Sequence, residues 1–443
     1  MNVAAKTNER ISKQSGIFDI LMGDIMIKEL LLVLAGITCT CCSAVYAAPK
    51  KVHTINELID RTISESPLIQ AQSAQLKAAD ARVLQSTLLP NPQAAVELEN
   101  FGGDLNGTRL SETTYTLSQP ILLGGKISSR TNASNVAAKV VKMQAQQLGN
   151  KVLSQLVTSF AAVQRDKEFL SIAEQDTTIA TEVLSAAKTK LKFGGVLKGE
   201  VTRAKVGLEN RMIALRLASS ELIVSKTQLV AFWMGNLAEF GDVPEQSWNS
   251  SEKAFDSLDI DEFPVVMLQK LQLIAAKANH ALARVNRIPD LTAQAGVRQF
   301  EETDDTTFVA MLSIPIPLFN TNQGNILAAK HSIRAAEQLY RNTKINIQAQ
   351  FDSLIQRRKA LIPQYKQLKT VLLSESNKAL KQMKEAYSAG RVGYLDLADA
   401  QRAYFDVKTQ LAITIFTLNK TEAELGALSG TFMKNINGDM NNE

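Results

Sequence analysis

The sequence predicts an internally duplicated α+β membrane protein. Long helical coiled-coil hairpins alternate in it with four short membrane-spanning strands that several copies of the chain must pool. Three observations carry this expectation. Sequence similarity recurs at a nearly constant offset, the prolines separate long helical stretches from short alternating ones, and the strands are too few to close a barrel alone.

The repeat comes first because it decides the architecture. Pro67 recurs as Pro264, and the run AADARVLQSTLLPNP resembles ANHALARVNRIPDL, with Pro289 in the place of Pro90. TLSQPILLGG (116–125) resembles MLSIPIPLFN (311–320), pairing Pro120 with Pro315. Gly194 to Ala204 resembles Gly390 to Ala400, each with an acid six residues in, Glu200 and Asp396. The expected organisation is a signal peptide over 1–47, a first repeat over 48–245, a linker over 246–262, a second repeat over 263–430 and a polar tail over 431–443.

At the N-terminus, Leu30 to Cys42 is an apolar run preceded by Lys28 and followed by small residues. It is too short to span a bilayer and suits a signal peptide, with the cut expected after Ala47 and Met26 as a candidate start. Cys39, Cys41 and Cys42 all precede that cut, so the mature chain is expected to lack disulfides and thiolate metal sites. An acylated cysteine or an uncleaved anchor helix are the alternatives. Leu34-Ala35-Gly36 is followed by Ile37, however, which breaks the lipoprotein pattern.

Ten of the eleven prolines lie outside 121–243 and 318–443, stretches rich in Ala, Leu, Gln, Lys and Glu. Apolar residues there recur at spacings of three and four, as in Val152, Leu153, Leu156, Val157 and Phe160. Ile127 to about Lys190 reads as one helix of roughly 90 Å, a length found in coiled-coil hairpins. The pairs Gly194-Gly195 and Gly390/Gly393 should be the hairpin tips, and Pro363 should mark a kink or a junction between helices.

Between the helical stretches lie alternating segments. Ala94, Val96 and Leu98 share one face with Glu97 and Glu99 opposite, and Tyr115 and Leu117 oppose Thr114, Thr116 and Ser118. Leu291 to Phe300 and Thr307 to Ile314 supply the second hairpin, within strand hairpins placed at 92–120 and 289–317. Alternation over about ten residues marks a transmembrane strand, although a soluble four-stranded sheet has the same pattern. A lipid-exposed sheet edge is not tolerated, and single-chain barrels start at about eight strands, so membrane strands here require an oligomer.

On these residues the chain resembles the TolC-type outer-membrane efflux proteins. LSQPILLGGK leading into a long helix and YSAGRVGYLDLADAQRAY at the second tip carry the likeness, and IPIPLFNTNQGNILAAK (314–330) looks most like the CzcC-like heavy-metal branch. The resemblance implies a homotrimer with a shared twelve-stranded β-barrel in outer-membrane lipid and a helical α-barrel crossing the periplasm of a Gram-negative cell. It also implies two partners, a periplasmic adaptor and an inner-membrane pump of the resistance-nodulation-division type. For the second tip it implies a periplasmic gate built from Tyr387, Arg391, Asp396 and Asp399. Arg391 stands one residue before the family's arginine position, which here is Val392. Acids repeated by threefold symmetry at a narrow mouth attract cations, whereas an Asp at a hairpin end can equally cap the returning helix. The first tip, Gly194 to Glu200, is expected to be an adaptor contact.

Other function classes find little support. The net charge of +5 is too small and dispersed for a nucleic-acid partner, and a mean hydropathy near zero excludes a polytopic helical membrane protein. His53, His280 and His331 have no second histidine at metal spacing, and GGK at 124–126 lacks the other residues of a phosphate loop. No cofactor and no catalytic residue is expected. Glu301, Glu302, Asp304 and Asp305 read as solvated loop acids. A duct for organic toxicants or secreted protein, or a periplasmic coiled-coil scaffold, remains as the alternative function.

Overall fold

The computed structural model describes residues 52–102, 104, 107–249, 255 and 258–432. The expected signal peptide and its cut, the three cysteines, much of the linker and residues 433–443 lie outside the described residues.

Two helices open the described chain, α1 (Ile55–Glu65) and α2 (Pro67–Thr87). Thr54 caps α1, its hydroxyl accepting from the Glu57 N–H at 3.4 Å. Pro67 occupies the first turn of α2, where its missing N–H costs nothing, and Pro264 does the same for α5 (Pro264–Val285). The first strand pair is β1 (Gln93–Glu99) and β2 (Glu112–Ile121), followed by α3 (Lys126–Lys192) and α4 (Lys198–Val230). After α5 come β3 (Leu291–Phe300) and β4 (Thr306–Ser313), then α6 (Gln323–Gln367), α7 (Leu373–Ser388) and α8 (Tyr394–Ser429). The order of one helix, two strands and a helical hairpin thus occurs twice.

α3 runs for 67 residues, about 100 Å at 1.5 Å per residue. It packs against α2, α4, α5 and α8, which bury different stretches of it in turn. In the second hairpin the helix continues through Pro363, and a π-turn, Leu368–Leu372, separates α6 from α7 just beyond it. The expected junction therefore lies past the proline, at a widened turn. No helix among the described residues is long and apolar enough to cross a membrane.

The largest core surrounds the middle of α3. Leu153, Leu156, Phe160 and Val163 meet Leu58, Leu229, Trp233 and Val243, and Phe263, Ile347, Leu354 and Leu425 form a second cluster. Arg358, 3% exposed, pairs with Glu422 at 2.9 Å, and the Trp248 indole N–H donates to the same carboxylate oxygen at 3.0 Å. This network fastens the chain after α4 to α6 and α8. A buried pair broken on one side leaves an uncompensated charge, so it holds geometry more than it adds stability.

The four strands form one antiparallel sheet in the order β1-β2-β3-β4. Its register puts Val96, Tyr115, Val297 and Phe308 in one row across the sheet, and Glu97, Thr114, Arg298 and Thr307 in the next. Directly paired residues share a face, so one face is largely apolar and the other largely polar. The apolar face is uncovered within the chain: Phe308 is 91%, Leu312 73% and Val96 68% exposed. At the foot of the sheet Asp290 accepts from Lys126 Nζ at 2.7 Å and from the Leu123 N–H at 3.1 Å, binding the two strand pairs to the start of α3.

The turn from β2 into α3 uses Gly124 and Gly125, both with positive φ (69° and 73°). A Cβ on Gly124 would also lie 2.3 Å from Ile288 Cδ1. Gly124→Ala is expected to cost about 1–3 kcal/mol in thermal or denaturant unfolding. Gly199→Ala, with nothing within 4 Å in the first turn of α4, is expected to be neutral or mildly stabilising.

Candidate functional site at the helical tips

Both hairpins turn by the same device. α3 gives way to Phe193 and to Gly194 at φ 74°, and the Gly195 N–H donates to the Lys190 carbonyl at 2.9 Å. At the second tip Gly390 has φ 75°, and the Arg391 N–H donates to the Ala386 carbonyl at 2.9 Å. These bonds satisfy the last helical carbonyls, and the left-handed residue is a glycine because a side chain would be strained there. Glu200 and Asp396 are therefore not part of the turns. Each stands in the first turn of the returning helix, α4 or α8, where a negative charge suits the helix dipole.

Asp396 Oδ2 accepts from the Gly393 N–H at 3.0 Å and so caps α8. The Asp399 side chain is 79% exposed and lies 3.5 Å from Arg402. Arg391 is also exposed. Tyr387 is different: it is 3% exposed and packs with Val183, Leu380 and Leu397 in a core between the two hairpins. Its hydroxyl donates to Glu200 Oε1 at 3.0 Å. The Lys190 ammonium stands 3.7 Å from the centre of its ring and donates to its carbonyl oxygen. Of the residues singled out in the sequence, the structure brings Tyr387 and Glu200 together and leaves Arg391 and Asp399 on the surface.

Burial pushes the pKa of the Tyr387 phenol well above its usual value, and the Glu200 carboxylate adds to the shift. The phenol therefore stays protonated and remains a donor. A cation over an aromatic face and a charge-assisted hydrogen bond at the ring's edge contribute in the range of about 1–3 kcal/mol each when shielded from water. α3, α4 and α7 are thus closed on one another within a single chain.

Lys190 and Gly207 were not foreseen. Lys190 carried no signal of its own: by the tip glycines, Gly194 and Gly390, the position equivalent to Tyr387 is Leu191. Gly207 had no local signal: a Cβ there would sit 2.6 Å from the Tyr394 hydroxyl oxygen, so its absence makes room for the Tyr394 side chain against α4.

A spectrophotometric alkaline titration is expected to show a late tyrosinate component, contributed by Tyr387 and by Tyr404, whose pKa burial also raises. Tyr387→Phe should remove part of it. The raised folded value means that the tyrosine's contribution to stability is complete below about pH 10 and is lost as pH climbs through the folded value.

Comparison with known proteins places this geometry. The family model for outer membrane efflux proteins matches residues 58–234 and 264–431. The cobalt-zinc-cadmium resistance protein CzcC of Cupriavidus metallidurans is 24% identical over 345 residues, covering 77% of this chain and 81% of that one. The nickel and cobalt resistance protein CnrC of the same organism is 25% identical over 283 residues, covering 63% and 67%. Among solved structures, CusC, described in terms of folding and transmembrane channel formation, superposes with a TM-score of 0.71 at 18% identity, over 88% of this chain and 95% of that one. The outer membrane protein VceC of Vibrio cholerae gives 0.73 at 15% identity, over 85% and 96%. With the family model matching well over half of its length, the chain belongs to the outer membrane efflux protein family.

Proposed function

We propose that three copies of this chain form the outer-membrane duct of a tripartite efflux complex that exports heavy-metal cations. The carrying observation is the sheet, which has one uncovered apolar face and open edges on β1 and β4 and leads directly into two long helices, α3 at about 100 Å and α6 at about 68 Å. A lipid-facing sheet must close on itself, and closure here needs further copies. An apolar stripe on α4, formed by Val206, Ile213, Leu217 and Val224, is exposed within the chain and suits helix packing between copies. The metal resistance named for CzcC and CnrC supports heavy-metal cations as cargo.

In this reading the helices extend through the periplasm, and the tips are the periplasmic mouth. Phe193 and Leu197, 85% and 82% exposed beside Gly194 and Gly195, offer an apolar contact for a periplasmic adaptor. The adaptor in turn joins the duct to a pump of the resistance-nodulation-division type. The Lys190–Tyr387–Glu200 contact is the latch that holds each chain's hairpins together. Asp396 and Asp399, repeated in three copies, ring the mouth with negative charge, while Asp396 also caps α8, and Arg391 lies on the rim.

Single-channel recording in planar bilayers tests this. Wild type should give small, cation-selective conductance, and Tyr387→Phe with Glu200→Gln should raise it roughly threefold or more by freeing the mouth. Asp399→Ala should reduce cation selectivity without loosening the helix, as should Asp396→Asn, which keeps a capping oxygen. Trimers that insert and conduct identically with and without these changes would contradict the gate, and protein that never inserts would contradict the duct.

A further inference from the structure

The four strands contain four charged residues, Glu97, Glu99, Glu112 and Arg298, and β4 contains none. The register puts all four on the largely polar face: Glu97 shares a row with Thr114 and Arg298, and Glu99 shares the next with Glu112. They also gather at one end, next to the strand turns and away from the helices. The same face near the helices carries the uncharged Gln93, Ser118 and Gln294. Such segregation is not required to build a sheet, because a neutral polar side chain would serve each position equally well.

Arg298 is the centre of the group. Its Nη1 meets Glu112 Oε2 at 2.8 Å, its Nη2 meets Glu99 Oε2 at 3.0 Å, and its Nε donates to the buried Thr114 hydroxyl at 3.0 Å. The second oxygen of Glu112 accepts from Asn100 at 3.0 Å. One guanidinium therefore spans three strands and holds two carboxylates by its planar fork, a geometry that an ammonium reproduces only in part. Three carboxylates against one guanidinium leave two negative charges per chain.

We propose that Arg298, clamped between Glu99 and Glu112, sets the ion selectivity of the duct's outer mouth. This rests on the duct reading above, in which the polar face lines the lumen. Three copies give a ring of net negative charge that favours cations leaving the cell over anions entering it. Conduction also requires that the ring release what it attracts. Converging carboxylates are hard oxygen ligands for divalent cations. The tethered guanidinium occupies their oxygens, so a passing metal ion meets attraction without a cage. Arg298 is thus a built-in counter-ion that separates selectivity from retention.

The test is bilayer recording on purified full-length trimers, with zinc chloride added on the side of the strand turns. Arg298→Gln is expected to raise the potassium-to-chloride permeability ratio about twofold or more, and to lower the zinc concentration that half-blocks potassium current about tenfold. Arg298→Lys keeps the charge and should keep the wild-type ratio. Glu99→Gln with Glu112→Gln should lower the ratio, and this variant keeps the inference testable if Arg298→Gln fails to assemble. Conducting Arg298→Gln trimers with wild-type ratio and zinc sensitivity overturn the inference and leave the duct standing. Increased block that appears only when zinc is added from the opposite side places the effect elsewhere and overturns it as well. Wild-type trimers that insert but never conduct overturn the duct reading itself.

Discussion

Backbone hydrogen bonding along β1 and β4 is the constraint on which the remaining structure depends. These strands stand at the two edges of the sheet, and each presents a row of N–H and C=O groups outward. In water such a row is hydrated. Beside lipid it is prohibitively costly, and the apolar row through Val96, Tyr115, Val297 and Phe308 gives the sheet a surface suited to lipid. In the proposed duct these edges pair with those of other copies, and the exposed apolar stripe of α4 suits the same association continuing along the helices. In that duct, oligomerisation is a condition of membrane insertion rather than an added feature.

The distal end of the molecule follows a different logic. Its turns are satisfied locally by left-handed glycines, and its hairpins are tied to each other within one chain by Lys190, Tyr387 and Glu200. The buried Tyr387 stabilises the pair of hairpins, while exposed residues such as Asp399 and Phe193 remain available to copies or partners. Asp396 belongs to both categories, since its carboxylate completes a helix terminus while the residue stays exposed.

Much of the fold was legible because the signals were periodic or punctuating. Alternation placed β3 at its observed bounds, and proline and glycine marked helix starts at Pro67 and Pro264 and turns at Gly194 and Gly390. Pro363 was misleading in position: a proline loses one hydrogen bond, but neighbouring packing keeps the helix intact until the π-turn at Leu368. The candidate site was legible only in part. The resemblance to the efflux family singled out Tyr387 and Asp396, but likeness within one hairpin says nothing about the other. The contact from Tyr387 to Glu200, the ammonium of Lys190 over the ring and the clearance at Gly207 all arise between hairpins. The Arg298 clamp escaped notice for the same reason, since it joins strands from both repeats.

Disulfide trapping tests most directly the claim that the sheet closes between copies. Within one chain, β1 and β4 are separated by three strand spacings of about 4.8 Å, roughly 14 Å in all, which no disulfide spans. One cysteine is placed on the apolar face of β1 and another on that of β4, in a chain stripped of Cys39, Cys41 and Cys42, and scanned along the strands in outer-membrane preparations. Shared strands predict covalent dimers and trimers on non-reducing gels at a narrow set of positions with constant register. Monomers at every position, in protein that has inserted, would contradict the account.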